Sequence, residues 1–178
     1  KCVFQIGAKK NIFFEDVAYT RISDHIGRFP VVLLAPDDTD LIRDGSENRR
    51  KLFDGIISQI YPDYLHYYQT YNRTLDQRNS LLKQFVDQNY FDSELLNIYS
   101  EKLLECSHKI YDFRLDFIQS FSDIFKKKYG EISESNEFVA INYISELKNP
   151  TFDSVFYANA SVDLAAQRTT KGIHKDEF

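Results

Sequence analysis

Two apolar stripes, each stepping by three and four residues, flank a short polar connection. The first is Leu65, Tyr68, Asn72, Leu75, Asn79, Leu82 and Val86; the second is Leu96, Tyr99, Leu103, Cys106, Ile110, Phe113, Phe117, Phe121 and Ile124. Steps of three and four keep side chains on one face of a helix. Two such helices joined by a few residues pack side by side and antiparallel, each covering the other's stripe. Residues 87–93 supply the connection, with Asp92 placed to cap the second helix. Pro62 opens the first helix as an N1 residue or leaves a kink. Leu75, Leu82, Leu103, Ile110 and Phe117 are therefore expected in the core. Asn72 and Asn79 read as polar residues that set register. Arg78 lies off the stripe, free to reach a partner. The aromatic run of the second helix reads as packing in preference to a stacking site. Lys126, Lys127 and Lys128 before Gly130 suit a helix C-terminus; a phosphate-contacting patch is the other reading.

The rest of the chain is shorter-ranged. Val3, Phe4 and Ile6, then a polar turn over 7–11, then Ile12, Phe13 and Phe14 give a hairpin. A hairpin this short is marginal alone and implies further strands. Residues 23–27 predict a helical turn capped by Ser23 or Asp24 and ended by Gly27, with His25 structural. The apolar run 31–35 predicts a short buried strand stopped at Pro36. Ser46 is a natural N-cap, with Glu47 in the first turn. Arg49, Arg50 and Lys51 sit too early to complement a helix C-terminus. They serve as a solvated face paired with neighbours such as Asp54, or as phosphate contacts. Beyond residue 131, Phe138 to Ile144 alternate as a strand that Pro150 ends. Asp153 then caps one last Ala-rich helix through Gln167. The fold class is α+β: a mainly helical lobe built on a long antiparallel helical hairpin, with a small β-sheet near the chain ends.

At 178 residues the chain is one domain by length and can bury a core. Its 43% hydrophobic and 28% charged residues are ordinary for a globular chain. Net charge is −5, with the acidic excess in the second half. Phosphate-tracking surfaces want a basic stripe, so any DNA contact has to come from a local patch or from sequence outside these residues. No apolar run approaches the ~18 residues of a membrane span. The chain starts at Lys1 without a signal pattern and contains no methionine, so it is expected to be a piece of a longer protein. Cys2 and Cys106 have no metal spacing and read as reduced, buried thiols of a cytoplasmic protein. There is no internal repeat and no GxxxxGK[ST] phosphate loop. No nucleophile, base or metal set converges, so neither a catalytic nor a metal site is expected.

The order of pieces across Ala35-Pro36-Asp37-Asp38, Arg49-Arg50-Lys51-Leu52-Phe53-Asp54, Ser58-Gln59, Gln77-Arg78-Asn79 and Leu81-Leu82-Lys83 resembles the RecF family of bacterial DNA replication and repair proteins. Thr170-Lys171-Gly172-Ile173-His174-Lys175-Asp176-Glu177 is similar to that family's Gly-Pro-His-Arg-Asp-Asp segment, with Ile173, Lys175 and Glu177 in place of Pro, Arg and Asp. The resemblance implies strands from the edge of an ATPase lobe over 1–35, a helical lobe over 36–168 and a return segment over 169–178. The parent would bind ATP and Mg²⁺, dimerise on ATP, recognise gapped DNA at single-strand/duplex junctions and act with RecO and RecR partners in repair, replication and the SOS response. Residues 1–178 lack the phosphate loop on which that ATP site depends. In the wider SMC group of ATPase heads, a Gln in the joining loop senses nucleotide and metal. The corresponding place in this chain is Ala35 to Asp38, with no Gln, and Asp37 or Asp38 would serve through a carboxylate. Arg49, Arg50 and Arg78 are the expected DNA or partner contacts. His174, Lys175 and Asp176 are the expected switch at the junction of the lobes. The alternative is a helical adaptor with no nucleotide dependence. Such an adaptor has no reason to carry the Pro36-Asp37-Asp38 and Gly172-His174-Asp176 clusters at the two ends of a helical insertion.

Overall fold

The computed structural model describes residues 2–3, 11–33, 35–43, 45–133 and 137–178, excepting the side chains of Asp37 and Ile42. Three short strands, β1 (Cys2–Val3), β2 (Asn11–Phe14) and β3 (Val17–Ala18), are followed by helices α1 (Asp40–Arg43), α2 (Ser46–Ile60), α3 (Pro62–Asp87), α4 (Ser93–Ser133), α5 (Phe152–Ala158) and α6 (Ala160–Ala166). The fold is α+β and mainly helical, as expected.

The helical hairpin forms as its stripes dictate. Pro62 sits in the first turn of α3, where its missing N–H costs nothing. Asn89 takes a left-handed conformation after α3 (φ 48°), and Asp92 Oδ1 accepts from the Leu95 amide at 2.9 Å to start α4. Arg78 meets Ser100 and Tyr64 meets Phe113, so the helices run antiparallel. The 41 residues of α4 make it ~60 Å long, well beyond its partner's reach. Past Tyr61, α2 takes over as partner: Phe53 packs edge-on against Phe117 and Phe121.

The seam of α3 lies one residue earlier than expected. Tyr64, Tyr71, Thr74, Arg78, Leu81, Leu82 and Phe85 are buried, so Leu82 is kept and Leu75 is only half-buried. Arg78 is expected outside because an unpaired buried charge is costly; it is buried because it has a partner, 85 residues away along the chain. On α4, Leu103, Ile110 and Phe117 are buried as expected, while Ile124 faces solvent.

Several local expectations are corrected. Residues 31–33 form no strand and Val32 is 87% exposed; Leu34 lies outside the described residues. Gly45, not Ser46, precedes α2, and the Ser46 hydroxyl instead accepts from Arg50 at 2.7 Å. The 22–25 turn is capped by neither Ser23 nor Asp24. Helix α4 passes through Gly130 to Ser133, so the three lysines are not terminal; Lys128 pairs with Glu131 at 2.7 Å. The last helix is two, broken at Asn159, and Asp153 bonds His108 at 2.8 Å instead of capping. Residues 137–145 keep the alternating exposure of an extended chain, but among the described residues they pair through one bridge, Ile144 to Glu177. Cys106 is buried and Cys2 is exposed.

The β1–β2 pairing matches the expected hairpin, whose turn over 7–10 lies outside the described residues. Strand β3 came without a turn signature. Glu15 and Asp16 both take positive φ (47° and 63°), the two-residue turn usually built from Asn and Gly. Among the described residues the end of the chain pairs with Ile144 and not with this sheet.

Candidate functional site

Arg114 ties five segments together from the inner face of α4. Its side chain is 1% exposed. Its Nε and Nη2 each donate at 3.0 Å to the Asp54 carboxylate on α2, a bidentate pair. Its Nη1 donates to the Ile173 carbonyl at 3.0 Å and to Asp176 Oδ2 at 2.9 Å. Tyr64 of α3 donates to the same Asp54, and Tyr143 of the extended segment donates to Asp176 Oδ2 at 2.6 Å. Burial opposes the Arg114 charge, but Tyr64, Asp54, Tyr143 and Asp176 together hold its pKa well above the ordinary value. Burial pushes the Tyr64 and Tyr143 phenols upward, so both stay protonated donors.

Arg78 makes a second knot further along the hairpin, also 1% exposed. It donates to Ser100 on α4 (3.1 Å), Asp163 on α6 (2.8 Å) and Thr169 at the start of the return segment (2.7 Å). Asp163 also accepts from Asn159 (2.8 Å) and from the Thr170 amide (2.9 Å) and hydroxyl (2.6 Å). Asn79 Oδ1 receives the Thr169 amide at 2.7 Å, a structural use different from register setting in the seam.

His174 lies between the knots. Its Nδ1 is 2.6 Å from the Tyr71 hydroxyl and its Nε2 is 3.2 Å from the Thr169 carbonyl. Burial lowers its pKa to about 4, with Lys175 and Arg50 adding to the shift. A neutral ring with hydrogen on Nε2 satisfies both bonds, Tyr71 donating to Nδ1. Gly172 approaches this pair with φ 128°; a Cβ there would stand 2.8 Å from the Tyr71 oxygen.

Arg49 and Arg50 reach the same return segment from the first turns of α2. Arg49 donates from Nε to the Phe178 carbonyl (2.7 Å) and from Nη1 to the Leu41 carbonyl (3.1 Å). Helix α1 and the end of the chain thus share one guanidinium. Arg50 donates from Nη1 to the Ser46 hydroxyl and the Asp176 carbonyl. Asp38 folds the loop on itself, its Oδ2 accepting from the Ala35 amide at 2.8 Å; the Asp37 side chain lies outside the described residues. A cleft of about 290 Å³ opens between α2, α3 and the return segment, lined by Arg50, Lys51, Asn72, His174 and Lys175 among others.

The structure therefore brings Arg49, Arg50, His174, Lys175 and Asp176 to one place and leaves Arg78 inside the fold. Sequence reading missed Arg114, Asp54 as its partner, Asp163 and Tyr143. The signal for Arg114 was present: it lies four residues after Ile110 and three before Phe117, on the apolar face itself. A cation there implies a buried carboxylate.

No family model matches the chain. Over 172 residues, 97% of its length, it is 40% identical to the DNA replication and repair protein RecF of Cytophaga hutchinsonii, covering 46% of that protein. It is 39% identical over 177 residues to the RecF of Flavobacterium johnsoniae, covering 99% of this chain and 49% of the relative. Over nearly its whole length the chain is similar to part of these RecF proteins. It spans about half the length of the curated RecF proteins it matches. Among solved structures, the recombination mediator protein RecF-ATPrS in the RecFOR pathway superposes with a TM-score of 0.86 at 25% identity, over 99% of this chain and 49% of that one. The RecF-ATP form gives 0.83 at the same identity, over 98% and 48%. No helix among the described residues is long and apolar enough to cross a membrane.

Proposed function

We propose that this chain is the helical lobe of a RecF-like, ATP-dependent DNA-binding protein that acts in recombinational repair of gapped DNA and in replication. The parent binds ATP and Mg²⁺, dimerises on ATP and works in the cytoplasm with RecO- and RecR-like partners. Residues 1–35 belong to the edge of the ATPase lobe, 36–168 to the helical lobe and 169–178 to the return. The observation that carries this reading is the shared anchoring of the two ends. Arg49 holds Leu41 and Phe178 together, and Arg50 holds Asp176, so the chain enters and leaves the helical body at one junction. An inserted lobe needs that geometry; a free-standing adaptor does not. In this reading His174, Lys175 and Asp176 pass a nucleotide-driven shift toward the helices, with Asp37 and Asp38 as the facing loop. Arg49 and Arg50 serve DNA or partner contact at the junction. Arg78 acts only by fixing α6 and the return segment.

The test is a chimera in which this chain replaces the corresponding half of Cytophaga hutchinsonii RecF, assayed for ATP-dependent binding to gapped DNA. Retained binding that Arg50→Glu weakens supports the reading. A folded chimera whose DNA binding no longer responds to ATP returns the chain to the adaptor class.

A further inference from the structure

We propose that the cleft between the first turns of α2 and the return segment is a phosphate-binding site, with the free edge of Arg50 and the ammonium of Lys175 as its cationic walls. The guanidinium of Arg50 is already fixed: both described bonds, to the Ser46 hydroxyl and the Asp176 carbonyl, leave from Nη1. Nε and Nη2 carry no described hydrogen bond. Together they form the side-on fork that pairs with two oxygens of a phosphate. Preorganisation matters, because a side chain already immobilised loses less entropy on binding. Its neighbours behave differently. Arg114 and Arg78 spend their donors on buried carboxylates, and Arg49 is committed to two carbonyls.

Lys175 completes the pair. It is exposed, lines the same cleft, and has no carboxylate within ion-pair distance among the described residues. Arg50, His174 and Lys175 share the lining of that cleft. The carboxylates of the lining are occupied: Glu47 by Lys51, Asp54 by Arg114. Among the described residues neither cation forms an ion pair with a carboxylate; Glu47, which feels the charge of Arg50, is itself paired with Lys51. Asn72 adds an amide to the wall. In a chain of net charge −5, two cations that face one cleft without an ion-pair partner among the described residues favour an anion with several oxygens. The likeness to RecF bears only on the source of the phosphate, the DNA backbone; the chemistry of the cleft stands without it.

Amide resonances of the chain would be followed during titration with inorganic phosphate, and separately with a short single-stranded oligonucleotide, at low salt. The expected result is that both ligands move the same set, residues 46–51 and 172–176. Arg50→Lys, which keeps the charge and loses the fork, should weaken both about tenfold. Lys175→Gln, at an exposed position, should lower the salt slope of oligonucleotide binding by about one. Shifts with phosphate but none with the oligonucleotide support the site and overturn DNA as the source. Oligonucleotide binding that maps elsewhere and ignores both substitutions overturns the site and leaves the proposed function standing. No shift at these residues with either ligand overturns the proposal outright.

Discussion

Arg114 and Arg78 are charges held away from water, and such pairs stabilise asymmetrically. Two well-placed apolar residues can replace a buried pair at little cost, but removing one partner strands the other. Asp54→Ala leaves Arg114 without its bidentate carboxylate, and the Tyr64 hydroxyl without its acceptor. We expect a loss of about 3–5 kcal/mol in urea titration. A loss under about 1 kcal/mol would mean that water reaches the site. His174 gives a pH dependence of definite sign. Its pKa falls from 6.5 to about 4 on folding, chiefly through burial. Between those values the unfolded chain binds a proton that the folded chain refuses. Stability from this group is therefore fully present above pH 6.5 and is lost as pH falls toward 4. Thermal melts at about pH 7 and about pH 5 should show a larger drop for the native chain than for His174→Gln. The difference should be on the order of 1–3 kcal/mol. Equal drops would show that the ring is solvated.

At the scale of elements, the hairpin was legible and its exact face was not. Leu103, Ile110 and Phe117 could be placed because a run of large apolar residues leaves one solution for α4. On α3 the tyrosines and Arg78 serve as core only because distant groups satisfy them: Asp54 for Tyr64, His174 for Tyr71, Asp163 for Arg78. Those partners lie up to 103 residues away in sequence, so local periodicity put the seam one residue late. The same limit hid the break at Asn159, whose side chain is drawn to Thr170 and Asp163. Arg49 and Arg50 were recognisable as cations without a helix-terminal role, and it took the fold to show the return segment beneath them. The stripe on α4 makes a graded prediction. Phe117→Ala should cost ~3–5 kcal/mol, because the ring lies among Phe53 and Phe121. Ile124→Ala, on an exposed position beyond the packed region, should stay within about 0.5 kcal/mol. Similar costs at both positions, in the same denaturant titration, would put Ile124 in a core.

Over the whole molecule, two buried arginines and two at the junction join the return segment to every long helix. Thr169 is held at Arg78, Ile173 and Asp176 at Arg114, and Phe178 at Arg49. Residues 169–178 are thus built into the base of the helical body. Arg49 bonds both Leu41 and Phe178, so a shift of the return segment relative to α1 would change its contacts first. Two spin labels read this arrangement directly. They would be placed at the exposed positions Thr39 and Lys175, with Cys2 changed to Ser and Cys106 left buried. Dipolar spectroscopy should then return one narrow distribution far shorter than the ~60 Å of α4. A broad distribution, or a mean close to the length of that helix, would contradict a lobe entered and left at one junction.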